Sequence, residues 1–313
     1  MNIDVHWHYL PEAAIPLLDD WGRQFAAMPA LARPELQIAE MDRRRIDLAA
    51  VSPMPGLFQY HLDKDDGLRL HRLVNDSIAD LVAAYPDRYV GLATVPLQDA
   101  ALAVQELERA MQVKGLRGVE ICTHVAGRNL DDPALRPFFE AAAAMGAFVF
   151  VHPTAVLAPE RLNRYYLTNL LGNPSETAVA IASVIFGGLY DANPALTCCF
   201  AHGGGTFCSL VGRWRHGYAV REEPHAFGAR SPEEYLPRIY VDSLVHDDRI
   251  CRFLIDTVGA DHMMLGSDMP FDMGADDPVD RIERLDGISA EDKALILGGT
   301  ASRLLRLHGA ASA

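Results

Sequence analysis

The sequence of 313 residues carries 28 Lys and Arg against 42 Asp and Glu, a net charge of −14 at pH 7 with neutral histidine. A chain that is this acidic repels the phosphates of nucleic acid and the surface of an anionic membrane. Half of its residues are hydrophobic and 22% are charged, which excludes disorder over most of the chain.

Eight short apolar runs rich in β-branched residues recur along the chain and predict strands. They cover residues 3–6, 46–52, 89–95, 118–122, 147–151, 196–201, 239–242 and 263–265. Apolar residues at spacings of three and four in the stretches between these runs predict helices. The predicted helices cover residues 66–84, 101–113, 133–145, 176–190 and 250–258.

This alternation predicts an α/β protein with a parallel sheet, and eight units predict closure into a single (β/α)₈ barrel of the TIM type. An open doubly wound sheet is the alternative. One domain then covers residues 1–313, with a long first loop at about 9–34 and a helical segment at its C-terminal end. A second long connection covers residues 221–238, and long loops that follow barrel strands form the catalytic face.

The cellular location is predicted from three features of the sequence. Residues 1–6 lack the basic and apolar stretches of a secretory signal. The longest nearly apolar run, 178–190, is shorter than the roughly 18 to 20 residues that cross a bilayer. Five cysteines without the spacing of a metal finger favour buried, reduced thiols. We therefore expect a cytoplasmic protein with no nucleic-acid partner and no membrane partner.

The strongest local signal for chemistry is the sequence His6-Trp7-His8 at the end of the first predicted strand. Side chains at positions i and i+2 of a strand point to the same side, so both imidazoles can converge on one ion while Trp7 faces away. Taken alone this pair is weak evidence, because two ordinary histidines produce the same pattern.

Three further polar residues follow predicted strands directly. His152 follows the fifth strand, His202 the sixth and Asp268 the eighth. Because the C-terminal ends of parallel barrel strands meet at one mouth, we expect these side chains to lie close to His6 and His8. Imidazoles with a carboxylate bind borderline divalent cations, so the pattern predicts a metal site.

Several polar residues near the predicted mouth have roles that the sequence leaves open. Asp4 shares its strand parity with His6 and can accept a hydrogen bond from a ligand imidazole or form a buried salt bridge. Asp242 is either a mouth carboxylate or a helix cap. His124 either touches substrate or belongs to a loop, and the second interpretation is favoured. The run Gly203–Gly205 either cradles phosphate or clears space beside a metal.

The motifs of several other enzyme classes are missing from the sequence. Its only lysines are Lys64, Lys114 and Lys293, and none ends a predicted strand. This argues against a Schiff-base lysine and against a carbamylated lysine that bridges two metals, so one ion is expected. No Gly-x-Ser-x-Gly elbow, P-loop or dinucleotide-binding Gly-x-Gly-x-x-Gly motif occurs.

Together these residues resemble the amidohydrolase superfamily, and within it the branch of 2-amino-3-carboxymuconate-6-semialdehyde decarboxylase and related metal-dependent decarboxylases. Seven segments carry the resemblance and run in order through nearly the whole chain. They are Ile3-Asp4-Val5-His6-Trp7-His8, Glu40-Met41-Asp42, Arg88-Tyr89-Val90-Gly91-Leu92, Phe150-Val151-His152-Pro153, Phe200-Ala201-His202-Gly203-Gly204-Gly205, Asp242-Ser243-Leu244-Val245-His246-Asp247 and Gly266-Ser267-Asp268-Met269-Pro270-Phe271.

The resemblance implies one divalent ion, zinc with manganese as the alternative. Its ligands would be His6, His8, His152 and Asp268. Asp268 would also serve in catalysis, and His202 would act beside the ion as an acid or a base. The resemblance further implies a homodimer in which an arginine of the segment 217–221 reaches the substrate carboxylate of the neighbouring subunit. We assign that role to Arg221, and the alternative is a surface pair with Glu222 or Glu223.

The implied activity is non-oxidative decarboxylation of a small carboxylated muconate-like or aromatic acid, an anionic substrate. Loss of CO₂ leaves electron density on carbon, which a dication stabilises and an imidazole can protonate. A metal-dependent hydrolase or hydratase is the alternative enzyme, and a non-catalytic metal-stabilised binding barrel is the second alternative. Two departures from the branch indicate a changed pocket: the segment before Pro34-Glu35-Leu36 is shorter than in the named decarboxylase and lacks a clear carboxylate-binding arginine, and Thr154 replaces a tryptophan.

Overall fold

The computed structural model describes residues 1–227 and 230–307. Eight parallel strands, β1–β8, lie in one sheet in the order in which they occur along the chain. They are β1 (Ile3–Tyr9), β2 (Leu48–Pro53), β3 (Tyr89–Ala93), β4 (Gly118–Cys122), β5 (Phe148–His152), β6 (Thr197–Phe200), β7 (Ile239–Asp242) and β8 (Met263–Met264). A small antiparallel hairpin, His124–Val125 with Arg128–Asn129, follows β4.

Backbone hydrogen bonds between β1 and the segment that begins with β8 close the sheet. The Val5 N–H donates to the Leu265 carbonyl at 2.9 Å, and the His8 N–H donates to the Met269 carbonyl at 3.0 Å. The predicted single (β/α)₈ barrel of the TIM type is therefore confirmed in its architecture. The open doubly wound sheet is wrong, because an open sheet leaves its first and last strands without this pairing.

Helices α1–α14 of the described residues surround the barrel and cover its mouth. They are α1 (Asp20–Arg23), α2 (Pro29–Ala32), α3 (Pro34–Arg43), α4 (Lys64–Ala84), α5 (Ala100–Glu108), α6 (Arg136–Met145), α7 (Pro159–Leu162), α8 (Asn173–Phe186), α9 (Leu189–Ala192), α10 (Phe207–Val220), α11 (Asp248–Val258), α12 (Pro278–Arg284), α13 (Ala290–Ala294) and α14 (Thr300–Leu304). The last three form a helical segment near the C-terminal end, and the predicted domain's final residues, 308–313, lie outside the described part.

The spacing of apolar residues does not predict where a helix begins or ends, because turns and capping hydrogen bonds set these boundaries. The predicted helix 176–190 is divided into α8 and α9, because Gly188 adopts a left-handed conformation with φ of 70° between them. Helix α11 begins at Asp248 because the Asp247 carboxylate accepts hydrogen bonds from the N–H groups of Arg249 and Ile250.

Two apolar layers hold the barrel together. The larger one lies between the strands and the outer helices, and the smaller one fills the barrel interior. Interior members include Val5, Phe150, Cys199 and Met264, all fully buried. Burial of such side chains stabilises the fold by about 1.5 to 3 kcal/mol each. The polar residues at the C-terminal ends of the strands lie next to this apolar interior and form the floor of the barrel mouth.

The first loop is anchored to the strand that carries His8. Between β1 and α3 the chain forms short helices, including α1 and α2. The buried Gln37 side chain donates from Nε2 to the main-chain carbonyls of His8 and Ala30, at 3.0 and 2.9 Å, and accepts a hydrogen bond from the Trp7 indole. The loop is therefore held over the barrel mouth by contacts to the candidate site's own strand.

All five cysteines are free and buried. Within residues 1–227 and 230–307, no helix combines the length and the apolar character that a membrane crossing needs.

We predict that Gly205→Ala destabilises the protein by at least about 2 kcal/mol. Gly205 has φ of 64°, and a Cβ at this position would lie 2.0 Å from the Pro174 carbonyl oxygen. The matched control is Gly212→Ala in the middle of α10, where a Cβ has open space and alanine gains about 0.5 to 1 kcal/mol. Thermal unfolding should show opposite shifts, and equal melting temperatures for the two variants would contradict the steric argument.

Candidate metal centre

Both histidines of β1 have one ring nitrogen fixed by a hydrogen bond. His6 Nδ1 donates to Asp242 Oδ2 at 2.7 Å, and His8 Nδ1 donates to the Pro53 carbonyl at 3.2 Å. A carbonyl oxygen only accepts, so the proton of a neutral His8 is on Nδ1 and its Nε2 carries a lone pair. Such partners of the remote nitrogen orient ligand histidines in metal sites.

The Nε2 atoms of these histidines converge with Asp268. His6 Nε2 lies 3.1 Å from His8 Nε2, and Asp268 Oδ1 lies 3.2 and 3.0 Å from the two nitrogens. All three side chains are nearly or fully buried. Atoms that offer lone pairs approach this closely when a proton or a cation lies between them, so the donors fit a divalent ion.

His152 and His202 complete the group. The His152 ring centroid lies 5.0 Å from those of His6 and His8 and 5.1 Å from that of His202. Neither ring nitrogen of His152 has a hydrogen-bond partner among the described residues, although the side chain is buried. Buried nitrogens without partners are costly unless a ligand satisfies them, which makes His152 suited to hold a metal.

The structure thus brings together every predicted ligand and His202. The four residues whose ligand atoms all lie within 4.8 Å of one another are His6, His152, His202 and Asp268. His8 belongs to the same centre through its contacts with His6 and Asp268. The distances therefore place five side chains close enough to take part in binding one ion.

The charges of the group act on one another. Burial raises the pKa of Asp268, but the charge of His6 and hydrogen bonds from three histidines together hold that pKa well below its usual range. Burial lowers the pKa of His6, yet Asp268 and Asp242 hold it well above the ordinary value. Burial, and after it the charge of His6, lower the pKa of His152 well below its ordinary value, so its imidazole is neutral.

Asp242 supports the centre from the end of β7. Besides His6, its carboxylate accepts hydrogen bonds from the N–H groups of His202 at 3.0 Å, Gly203 at 2.7 Å and Leu244 at 3.1 Å. It therefore orients one candidate ligand and fixes the turn that carries another. Of the two roles that the sequence left open, the mouth carboxylate is closer to the structure, and α11 is capped by a different residue.

The glycine run beside His202 does not form a phosphate cradle. Its three amides are already used: Gly203 donates to Asp242, Gly204 to the Ala201 carbonyl and Gly205 to the His202 carbonyl. The run instead lets the chain turn sharply after β6. His202 and Asp268 themselves have φ of 57° and 58°, a strained conformation for a residue with a side chain that occurs often at functional sites.

Asp4 takes neither of the two roles predicted for it. Its Oδ1 accepts hydrogen bonds from the main-chain N–H groups of His6 and Ser267, at 2.9 and 3.2 Å, and it makes no hydrogen bond to an imidazole within residues 1–227 and 230–307. The register between β1 and β2 shifts between Asp4 and Trp7. The simple alternation from Asp4 to His6 is therefore broken, and the parity argument was wrong for this residue.

His124 belongs to the hairpin after β4, as its favoured interpretation predicted. Its Nδ1 accepts from the Gly127 N–H at 3.1 Å, and its Nε2 donates to the Ala155 carbonyl at 3.3 Å. Arg221 follows the end of α10, where it is exposed and pairs with Glu223 of the same chain, with Nε 3.1 Å from Glu223 Oε2. The structure of one chain thus leaves Arg221 apart from the metal centre.

Glu120 is a site residue that the sequence analysis missed. It lies in the middle of β4 and is fully buried, with the Ser52 hydroxyl beside its carboxylate. Burial raises its pKa to about 7, while the neighbouring histidines and a hydrogen bond from Ser52 act to lower it. A single acidic residue within the apolar run Gly118–Cys122 was the available signal, since apolar strands exclude unpaired charges.

The fold and the donor set define a metal-binding (β/α)₈ barrel. The amidohydrolase family model matches residues 3–307, so the chain belongs to the amidohydrolase family. It is 40% identical to 2-amino-3-carboxymuconate-6-semialdehyde decarboxylase of Dictyostelium discoideum over 88% of this chain and 77% of that protein.

Solved structures agree with this assignment. The 5-carboxyvanillate decarboxylase of Sphingomonas paucimobilis superposes with a TM-score of 0.88 at 26% identity, over 97% of this chain and 98% of that one. The dihydroxybenzoic acid decarboxylase of Polaromonas sp. JS666, which holds manganese and the inhibitor 2-nitroresorcinol, shares the fold with a TM-score of 0.86 at 23% identity, over 99% and 98%. The resemblance predicted from the sequence is confirmed, and so is the prediction of a carboxy-lyase enzyme, since these relatives are decarboxylases by name.

We predict that Glu120→Gln changes how stability depends on pH. The folded protein keeps a proton on Glu120 that the unfolded chain, with a pKa of about 4.3, has already released, so this residue reduces stability as pH rises from about 4 to 7. Between pH 5 and 8 the variant should gain roughly 2 to 3 kcal/mol relative to wild type. Unfolding by urea in the presence of a chelator measures this difference.

The control for this measurement is Glu108→Gln, which changes an exposed glutamate of α5. Its stability difference from wild type should be independent of pH. If the stability difference between Glu120→Gln and wild type is also independent of pH, then burial does not hold a proton on Glu120.

Proposed function

We propose that this protein is a metal-dependent, non-oxidative decarboxylase of a small carboxylated muconate-like or aromatic acid. The observation that carries the proposal is the convergence of lone-pair donors from β1, β5, β6 and β8 at the barrel mouth, with two remote nitrogens fixed by acceptors. Decarboxylation is favoured over hydrolysis or hydration because the relatives are decarboxylases by name. A non-catalytic binding barrel offers no reason for the strained His202 and Asp268.

We assign one divalent ion, zinc with manganese as the alternative, to His6, His8, His152 and Asp268. When bound, such an ion supplies positive charge that stabilises electron density developing on the substrate. Manganese in the related Polaromonas protein supports the alternative metal. We assign to the chain one metal-dependent domain over residues 1–313 and a place in the cytoplasm, where its free cysteines remain reduced.

His202 is the residue proposed to move the proton. Its Nε2 lies 3.5 Å from Asp268 Oδ2, and its side chain is 18% exposed, more than that of the other site histidines. The carbon that loses CO₂ must receive a proton, and an imidazole beside that carbon can deliver it with a gain of about 10² to 10⁴ in rate. Asp268 takes part in catalysis by holding His202 oriented through this contact.

Arg221 is proposed to bind the substrate carboxylate in the neighbouring subunit of a homodimer. Its planar fork can give a carboxylate two charge-assisted hydrogen bonds, and its partner in one chain, Glu223, is an exposed surface residue that it can release. The large apolar side chains of Val220 and Phe227, on the same segment of the chain, are more than half exposed. Exposed apolar surface of this kind is typical of a contact between protein chains.

The activity itself is tested by loading purified protein with zinc or manganese and screening aromatic and muconate-type acids for CO₂. We expect release of CO₂ without an added oxidant, and the product should retain the rest of the substrate. Conversion of an amide, lactone or double bond without release of CO₂ would support the hydrolase or hydratase instead. Binding of acids without conversion of any of them would support the binding barrel.

The ligand assignment predicts a contrast between variants. His8→Ala and Asp268→Ala should each lose most of the ion, because a missing ligand leaves three donors. His202→Asn should fold and retain the ion, yet lose about 10² to 10⁴ in turnover. Elemental analysis and circular dichroism of the three proteins provide the measurement. Full occupancy in the first two would refute the assignment, and loss of the ion in His202→Asn would make His202 a ligand.

The shared site is predicted to give complementation between inactive variants. Arg221→Ala lacks the carboxylate anchor and His202→Asn lacks the proton donor, so mixed dimers contain one intact site and should recover activity that neither parent has. The control is Arg215→Ala, which removes a neighbouring arginine paired with Glu233 and should remain active by itself. An Arg221→Ala protein with normal turnover and Michaelis constant would remove Arg221 from the site.

A further inference from the structure

Two grooves of about 370 and 390 Å³ open at the end of the barrel opposite the metal centre. They adjoin each other, because Ala144, Gly146 and Arg306 line both of them. The first groove also contains Phe148 and Thr197, the first residues of β5 and β6, and the other ends of these two strands lead to the metal centre. The grooves therefore lie at the N-terminal face of the barrel, away from the site described above.

The lining of these grooves is basic, although the chain as a whole is acidic. Arg303 and Arg306 line the first groove, and Arg117 and Arg306 line the second. Among the described residues, no Asp, Glu or Lys lines either groove. Three positive charges thus share one face of a chain whose net charge is −14. A local excess of positive charge attracts an anion that the protein as a whole repels.

The three arginines have no carboxylate partner in the part of the chain that the structure describes. Arg303 Nη2 donates to the main-chain carbonyl of Asp261 at 3.2 Å, and Arg306 Nη1 donates to that of Met145 at 3.4 Å. Arg117 forms no side-chain hydrogen bond there. The rest of the sequence contains no Asp or Glu. Because each guanidinium has five N–H donors, most donors on this face remain available to a ligand.

Arg306 is held in place by its contact with Gly146. A Cβ at this position would overlap Nη2 of Arg306, so the guanidinium packs directly against the main chain of the glycine. Gly146 has φ of 60° and ends α6, and the carbonyls at the C-terminal end of a helix favour a nearby cation. This effect explains one arginine at the helix end, but it does not explain why Arg117 and Arg303 line the same grooves.

The arrangement of charge and apolar surface indicates the class of ligand. A planar guanidinium gives a carboxylate or a phosphate two charge-assisted hydrogen bonds, so two or three arginines can bind an anion with two negative charges. The other side chains of the first groove are alanines with Phe148, Thr197 and Leu304. Such a surface packs against carbon rather than water, and the volume of each groove suits a small organic molecule.

We propose that these grooves form a binding site for a small organic dianion, held by Arg303 and Arg306 with Arg117 beside them. The acid groups of this dianion are carboxylates or a phosphate ester, and the site takes no part in the chemistry of the metal centre. Its occupant connects α14, the end of α6 and the start of β4. Because this face of a (β/α)₈ barrel contributes to stability, the bound dianion stabilises the folded protein.

The test follows thermal unfolding with succinate, phenyl phosphate or acetate at constant ionic strength. Succinate or phenyl phosphate, or both, should raise the melting temperature of wild type by about 2 °C at ten times the dissociation constant measured by calorimetry. Acetate has one charge and should leave the melting temperature unchanged at the same concentration. The tighter of the two dianions identifies the acid group that the site prefers.

Variants assign the binding to the grooves. Arg306→Gln and Arg303→Gln change exposed side chains, and each should weaken binding at least about tenfold, the size of a hydrogen bond to a charged group. The matched control is Arg33→Gln, which removes an exposed arginine at the start of α3, outside the grooves, and should bind as wild type does. Asp268→Ala is expected to lack the metal ion but keeps the grooves, so it should show the same shift as wild type.

Three results would overturn the site. Equal shifts in wild type, Arg303→Gln and Arg306→Gln would mean that the dianion binds elsewhere. An equal shift with acetate would be a general effect of added anions on an acidic chain. A shift that disappears in Asp268→Ala would assign the dianion to the metal centre.

Discussion

The carboxylate of Asp242 is the group on which the candidate centre depends most. A buried carboxylate without partners costs several kcal/mol, and here four hydrogen bonds satisfy it, from the His6 ring and from the main-chain N–H groups of His202, Gly203 and Leu244. One oxygen, Oδ2, accepts from both His6 and His202. The orientation of a donor on β1 and the turn after β6 are therefore set by the same atom.

The parts of the site that follow regular geometry were predictable from the sequence. The period of two along a strand placed His6 and His8 on one side, and the parallel sheet brought His152 and Asp268 to the same mouth. The same period gave the wrong direction for Asp4, only two residues before His6. The register of β1 against β2 shifts by one residue between Asp4 and Trp7, so Asp4 and His6 do not face the same side. Periodicity predicts direction only where pairing is regular.

The other parts of the site depend on contacts that periodicity does not contain. Asp242 ends a strand of four residues, so its two possible orientations could not be separated before the loop after His202 was placed. Glu120 was hidden by the apolar residues around it. Arg221 needs a second chain, and no property of one sequence places it.

The charge of the whole chain and the charge proposed for the site act in opposite directions on an anionic substrate. A net charge of −14 opposes every anion that approaches, so an acid binds only where local positive charge exceeds this background. At the barrel mouth that charge comes from the candidate ion and, in the proposed dimer, from Arg221. Because Asp268 neutralises part of the ion's charge, the binding energy for the rest of the substrate must come from apolar and aromatic contacts and from hydrogen bonds.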